Sequence, residues 1–343
     1  MQRVILDPFL LACPDPEQGR EAALRFVNSI LACRELREVG WIDALISEEA
    51  AELLFAGDYY PGWNRLKSIV RIAGVEHVQP KDVLSVISAI LTKSRTFESW
   101  ITLCDIHVKS HSCSPLDAFL NRPPAFIDEL ARLLLLILLA RSLGRLEGWN
   151  GILFTRADFA SFADVSVSGV VDFQVSEPDR LEYDYSIAQS IARICCSRVA
   201  LHASVSALQL WLSANHDADT LHAAIRVLAI QVRPDLLEAS DNMLRRWWFG
   251  PQFIKTAREH GFLDEPPKAQ RLMRAIVETI LGDNLTATHA LRSSPGGGSE
   301  QLSRGDKKAW RRDVDYEYHL HYWVSPRGHE LYSVVLHNDF SIS

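Results

Sequence analysis

Apolar residues recur at helical spacing over much of the chain and turn to strict alternation near its end. Val4–Leu6 is a short β-prone run that stops at Asp7-Pro8, a strand giving way to a loop. Between Glu17 and Cys33, the stripe Ala23, Phe26, Val27, Ile30 and Leu31 predicts an amphipathic helix. Ser47 before Glu48 and Glu49 marks another helix start, with acids at the positive end of the dipole. Pro80 and Asp82 open a helix whose inner face is Val83, Leu84, Ile87, Ile90 and Leu91, and Pro123-Pro124 open one that runs to about Gly144. Residues 151–175, rich in Val and Phe and broken by small polar residues, predict a hairpin or two strands. Over 183–232 the spacing of Ile187, Ile191, Ile194 and Val199, then the set around Leu208–Leu212, predicts helix again, ended by Arg233-Pro234.

From about residue 241 the pattern changes. Trp247, Trp248 and Phe249 sit in a short aromatic strand before Gly250-Pro251; a helix follows to His260, with Gly261 as its cap. A second helix, Lys268–Leu281, has the stripe Ala269, Leu272, Met273, Ile276 and Ile280. The polar, glycine-rich stretch 293–308 is expected to be mobile, and no Gly-Lys-Ser/Thr follows its glycines to make a phosphate loop. Three strands then read over roughly 309–314, 316–324 and 330–337. In the middle one, Tyr318, Leu320, Tyr322 and Val324 alternate with His319, His321 and Trp323, and the first set is the expected core face. The class expected is therefore α+β. A mostly α-helical domain with a few strands occupies 1–240, with a sub-boundary near 150, and a small α/β domain with an antiparallel sheet occupies 241–343.

Composition bounds the function classes. The 343 residues are 48% hydrophobic and 23% charged, an ordinary globular balance that argues against a disordered, collagenous or disulfide-scaffold chain. The net charge of −7 argues against a general polyanion binder. That charge is unevenly spread: residues 241–343 carry 14 basic and 13 acidic side chains, the remainder 22 and 30. The N-terminal apolar run is too short for a signal peptide, and the most apolar stretch, Leu133–Ala140, is far below the ~20 residues a bilayer needs. The helix 127–141, apolar almost all round, fits burial in a domain core or at a dimer interface. Six scattered cysteines read as free thiols of a cytoplasmic protein.

The C-terminal residues carry a resemblance. The order strand, helix, helix, loop and three antiparallel strands, with His289-Ala-Leu-Arg292, the run Ala309–Val324 bearing Arg311 and Arg312, and the final Glu330–Phe340, resembles the RelE/ParE toxin superfamily over roughly 245–343. The resemblance implies either ribosome-linked mRNA cleavage or, in ParE-type members, action on DNA gyrase. Metal-independent RNA cleavage needs a base for the 2′-OH, an acid for the leaving 5′-oxygen and cations for the phosphorane. Carried over, Arg311 or Arg312 would clamp the scissile phosphate. His337 would act as general acid or base, and Asp339 would orient it or serve as the base. Phe340 would stack on a nucleobase, with Arg292, His319 and His321 as further RNA contacts. RNA or the ribosome is then the expected partner, in a toxin- or defence-type protein. The weak net charge of the segment, its long N-terminal extension and the absence of a C-terminal tyrosine fit an alternative: a non-catalytic adaptor in a multi-protein system such as phage defence.

Two further constellations bear on cofactors. Cys104, His107, His111 and Cys113 are all legitimate zinc ligands at close spacing. Asp7, Asp82, Asp105 and Asp172 flank apolar runs, as acids at strand ends do in PIN-like nucleases that hold Mg²⁺. Caps and turns explain each aspartate singly, so the expectation is no cofactor, with zinc as the exception to test.

Overall fold

The computed structural model describes residues 2–101, 103–114, 122–146, 152–156, 163–175, 182–237, 246–293 and 299–342. They gather into two compact units, Gln2–Ser204 and the residues from Val205 onward.

The first unit is built on a sheet. β1 (Gln2–Leu6) ends where Asp7 caps a 3-10 turn over Pro8–Leu11, its Oδ1 accepting from Phe9 N at 3.0 Å. α1 (Gly19–Glu38) buries Ala23, Phe26, Val27, Ile30 and Cys33, most of the expected stripe. β2 (Ile42–Ile46) is followed by α2 (Ala50–Ala56), α3 (Trp63–Ala73), α4 (Pro80–Lys93) and α5 (Phe97–Ile101). Then come β3 (Leu103–Ser114), α6 (Pro124–Ser142), β4 (Ile152–Phe154), β5 (Ala163–Val175), β6 (Glu182–Cys195) and α7 (Arg198–Ser204). The sheet order is β2-β1-β4-β6-β5-β3. The first four strands run parallel, and β5 is antiparallel to both its neighbours. Leu133–Ala140 of α6 is buried all round and shares one core with Val165, Val167, Val171, Phe173, Ala192 and Ile194 of the sheet.

Helix outweighs strand among the described residues of this unit, as expected, but its strands join in one six-stranded sheet and one segment expected as helix belongs to it. Residues 182–195 form a strand, not a helix. The reason is a bulge. Val167 pairs with Ser190 but Gly169 with Ile187, so β6 gains a residue and its buried positions change parity from Ile187 to Ala192 and Ile194. Ile191, which completed the apparent helical stripe, is exposed.

The second unit begins with α8 (Ala207–Leu212) and α9 (Ala218–Val232), both of which pack on α11 (Pro266–Leu281). Trp211 Nε1 donates to the Phe262 carbonyl at 3.0 Å. These contacts move the boundary between the units from the expected 240 to Ser204–Val205. The remaining elements are β7 (Trp247–Phe249), α10 (Phe253–Glu259), β8 (Thr288–Ala290), β9 (Ser303–Arg304), β10 (Lys307–Asp313), β11 (Tyr318–Ser325) and β12 (Gly328–Leu336). The strand, helix, helix and final three strands follow the order read from the sequence, with β8 and β9 as two short strands that the sequence reading did not include. Residues 294–298 of the expected mobile loop lie outside the described residues.

The sheet order is β7-β12-β11-β10-β8, with β9 on β10; all pairs are antiparallel except β7 with β12. Gly328 opens β12 at φ 135°, and a Cβ there would meet the Arg246 carbonyl oxygen at 2.0 Å, so the hairpin requires glycine. Helices α10 and α11 lie against one face of this sheet, and α11 buries Ala269, Leu272, Met273, Ile276 and Ile280. The other face holds a smaller core of Leu291, Ala309, Trp323 and Tyr332, against which Leu302, Phe340 and Ile342 pack. Burial on both faces is why Tyr318–Trp323 are all buried, where alternation predicted one inner face.

Candidate functional site

The register of β10 and β11 decides which predicted residues meet. Asp313 pairs with His319, Arg311 with His321 and Ala309 with Trp323, so these six share the face away from the helices. Arg312 pairs with Leu320 and points the other way. Its guanidinium is 1% exposed, donates to Glu278 Oε2 at 2.8 Å and to the Asp283 carbonyl at 2.7 Å, and ties α11 to the sheet. Arg312, expected as a phosphate clamp, is thereby corrected to a structural cation. The adjacent arginine differs because strand side chains alternate.

Arg311 and the histidines form the centre of the opposite face. His319 is fully buried; its Nε2 lies 2.9 Å from Asp313 Oδ1, out of line for a hydrogen bond. The exposed His337 ring lies against it, centroids 4.3 Å apart. His289 Nε2, half-exposed on β8, stands 3.9 Å from Asp313 Oδ2. His321 is also fully buried, with Nδ1 3.2 Å from the Ser341 carbonyl. A carbonyl can only accept, so Nδ1 carries the proton and Nε2 is an acceptor with no partner among the described residues. Burial pushes both His319 and His321 down to about 4; the Arg311 and His337 charges act in the same direction on His319. Both imidazoles are neutral at pH 7.

The C-terminal residues lie across this face. The Arg311 guanidinium sits 5.2 Å from the Phe340 ring centroid. Phe340 is therefore a partner of Arg311 and of the small apolar core, not an open platform for a base. Asp339 Oδ1 accepts from Ser341 N at 2.8 Å and Ser341 Oγ at 2.6 Å. Burial raises the Asp339 carboxyl, but these bonds outweigh it and hold the pKa below the usual range. Asp339 thus serves a turn and does not orient His337. Arg292 is held by the Ser299 carbonyl and a bridge to Gln301.

Asp313 and His289 were missed as site residues. The sequence did carry a signal for each: Asp313 has the strand parity of Arg311, and His289 opens the His-Ala-Leu-Arg motif.

The expected zinc ligands are spread along β3. Cys113 is buried in the α6 core, its thiol pushed up to about 11 by burial. His111 Nε2 lies 3.5 Å from Asp128, and His107 is exposed. The Cys104 side chain lies outside the described residues. Among the described residues, no three His, Cys, Asp or Glu side chains are grouped to hold a metal ion. Of the aspartates flagged for Mg²⁺, Asp7 is paired with Arg122 at 2.6 Å, Asp82 lies in the first turn of α4 and Asp172 stands 3.5 Å from Lys109. The Asp105 side chain also lies outside the described residues.

No protein-family model, curated protein or solved structure matches the chain. Among the described residues, no helix is long and apolar enough to cross a membrane.

Proposed function

We propose that the second unit binds RNA on the face bearing Arg311 and cleaves it without a metal ion. The observation that carries this reading is the line His289–Asp313–His319–His337, which places an exposed or half-exposed imidazole at each end of a buried one and a carboxylate. One terminal imidazole takes the 2′-OH proton as that oxygen attacks phosphorus. The other protonates the departing 5′-oxygen, leaving a 2′,3′-cyclic phosphate. Arg311 stabilises the negative charge of the phosphorane. His319, buried and neutral, acts as a positioning residue between Asp313 and His337. The toxin or defence setting rests on the RelE/ParE resemblance of the same residues.

The test is incubation of the full chain with end-labelled RNA in EDTA. Cyclic-phosphate products that vanish in His337→Ala and His289→Ala support the reading. Intact RNA, with and without ribosomes, removes catalysis.

A second reading, a non-catalytic adaptor, is favoured by one specific observation: His319 and His321 are fully buried beneath the C-terminal residues. It expects a stoichiometric partner on co-purification and tolerance of His337→Ala.

A further inference from the structure

The first unit has its own feature that the RNA reading does not use. From β1 the chain passes through α1 to β2 on one side, and the strand on the other side of β1 is β4, whose own parallel neighbour is β6. The carboxyl ends of β1 and β4 therefore mark a switch point in the strand order. In open sheets with parallel strands this switch point is where ligands bind.

The residues at that point are Asp7 and Phe9 after β1 and Thr155 and Arg156 after β4, with Arg122 from the segment preceding α6. Asp7 and Arg122 form a closed set. Arg122 Nη1 donates to Asp7 Oδ2 at 2.6 Å, and its Nη2 donates to Thr155 Oγ1 at 2.6 Å and to the Arg156 carbonyl at 2.7 Å. Thr155 Oγ1 also donates to Asp7, and Phe9 N to the other carboxylate oxygen. Both partners of this pair are nearly inaccessible.

Arg156 is the cation left over. Its Nη2 donates to the Ala12 carbonyl at 3.1 Å, and its guanidinium lies 4.2 Å from the Phe9 ring centroid. Among the described residues no carboxylate forms an ion pair with it. Two guanidinium groups thus face one carboxylate, and Arg156 is half-buried, where an uncompensated charge is costly. The cost is visible as an Arg156 pKa pulled down to about 10, by burial first and by Arg122 next.

We infer that the switch point at the carboxyl ends of β1 and β4 is a binding site for a small ligand bearing an oxyanion, phosphate or carboxylate, held by the Arg156 fork beside Phe9. A planar guanidinium matches either group with two parallel hydrogen bonds. Asp7 balances Arg122, keeps that arginine from the ligand and leaves a single charge for it.

The experiment is calorimetric titration of the full chain with inorganic phosphate and with acetate at fixed ionic strength, with thermal unfolding in the same buffers. Saturable binding to wild type is expected, weakened roughly tenfold or more in Arg156→Gln. Arg156→Lys, which keeps charge without the fork, falls between. Asp7→Asn frees Arg122 and binds more tightly. Preference for phosphate or for acetate identifies the group. Absence of binding to both anions overturns the site, as does equal binding by wild type and Arg156→Gln. A rise in melting temperature shared by all variants is general salt stabilisation and also counts against it. Should Arg156→Gln or Asp7→Asn not fold, an Arg156→Lys variant with wild-type affinity for both anions overturns it.

Discussion

Replacing Arg312 with Met separates a structural from a catalytic role for this residue. The Met side chain fills much of the space of the arginine stem but supplies neither hydrogen bond. The Asp283 carbonyl loses its charged donor, and Glu278 loses one of three partners. Glu278 keeps Arg274 Nε at 2.8 Å and Asn284 Nδ2 at 3.0 Å, and its side chain is 19% exposed, so it is not stranded. Breaking a fully buried ion pair costs about 3–5 kcal/mol. The retained partners bring the expected loss to about 2–4 kcal/mol, or a urea midpoint lower by about 1–2 M for a slope typical of a domain. Equilibrium urea unfolding at pH 7 followed by tryptophan fluorescence measures it. On the proposed ribonuclease reading, the variant should cleave RNA at the wild-type rate below its own melting range. A loss under about 1 kcal/mol, or a stable variant that no longer cleaves or binds RNA, would refute the structural assignment.

Other predictions follow from the same geometry. His319 and His321 titrate near 4 when folded but near their ordinary 6.5 when unfolded, so the unfolded chain takes up protons first as pH falls; stability of the second unit is whole above about pH 6.5 and declines toward pH 4. Urea midpoints at pH 7.5 and 5 test this, and a flat profile would sink it. On the proposed ribonuclease reading, His337→Ala should abolish RNA cleavage while shifting stability by less than about 0.5 kcal/mol, because the ring is exposed. Gly169→Ala places a Cβ 2.3 Å from the Ser110 carbonyl oxygen and 2.9 Å from Leu135, and thermal unfolding should show a loss of roughly 1–3 kcal/mol. Leu135→Ala in the all-buried stretch of α6 should cost about 2–5 kcal/mol by the same measurement.

The C-terminal unit was legible because its signals are local. The stripe Ala269, Leu272, Met273, Ile276 and Ile280 and the alternation through Tyr318–Val324 reflect contacts between elements close in sequence. The first unit was not, because β1 is flanked by strands from distant parts of the chain, and because a bulge in the β5–β6 pairing makes an alternating strand imitate helical spacing. Of the residues named from the sequence, Arg311, His319, His321 and His337 lie together on one face of the sheet. Arg312 was misassigned although its parity with Leu320 already placed it on the helix side. Asp339 and Phe340 could not be placed by pattern, since their roles depend on how the terminal residues turn back over the sheet.

The sheet order of the first unit has a consequence for how the chain is made. β1 pairs with β2 early, but its other edge pairs with β4, where Leu6 meets Phe154. At ordinary synthesis rates roughly 7–30 s separate the emergence of the two. During that interval an apolar strand of Val4, Ile5 and Leu6 presents an open edge, the kind of surface that recruits chaperones or a second unfinished chain. Loop closure over such a span also slows folding of the isolated protein. Yield on overexpression should therefore depend on translation rate and chaperone supply more than on the equilibrium stability of either unit.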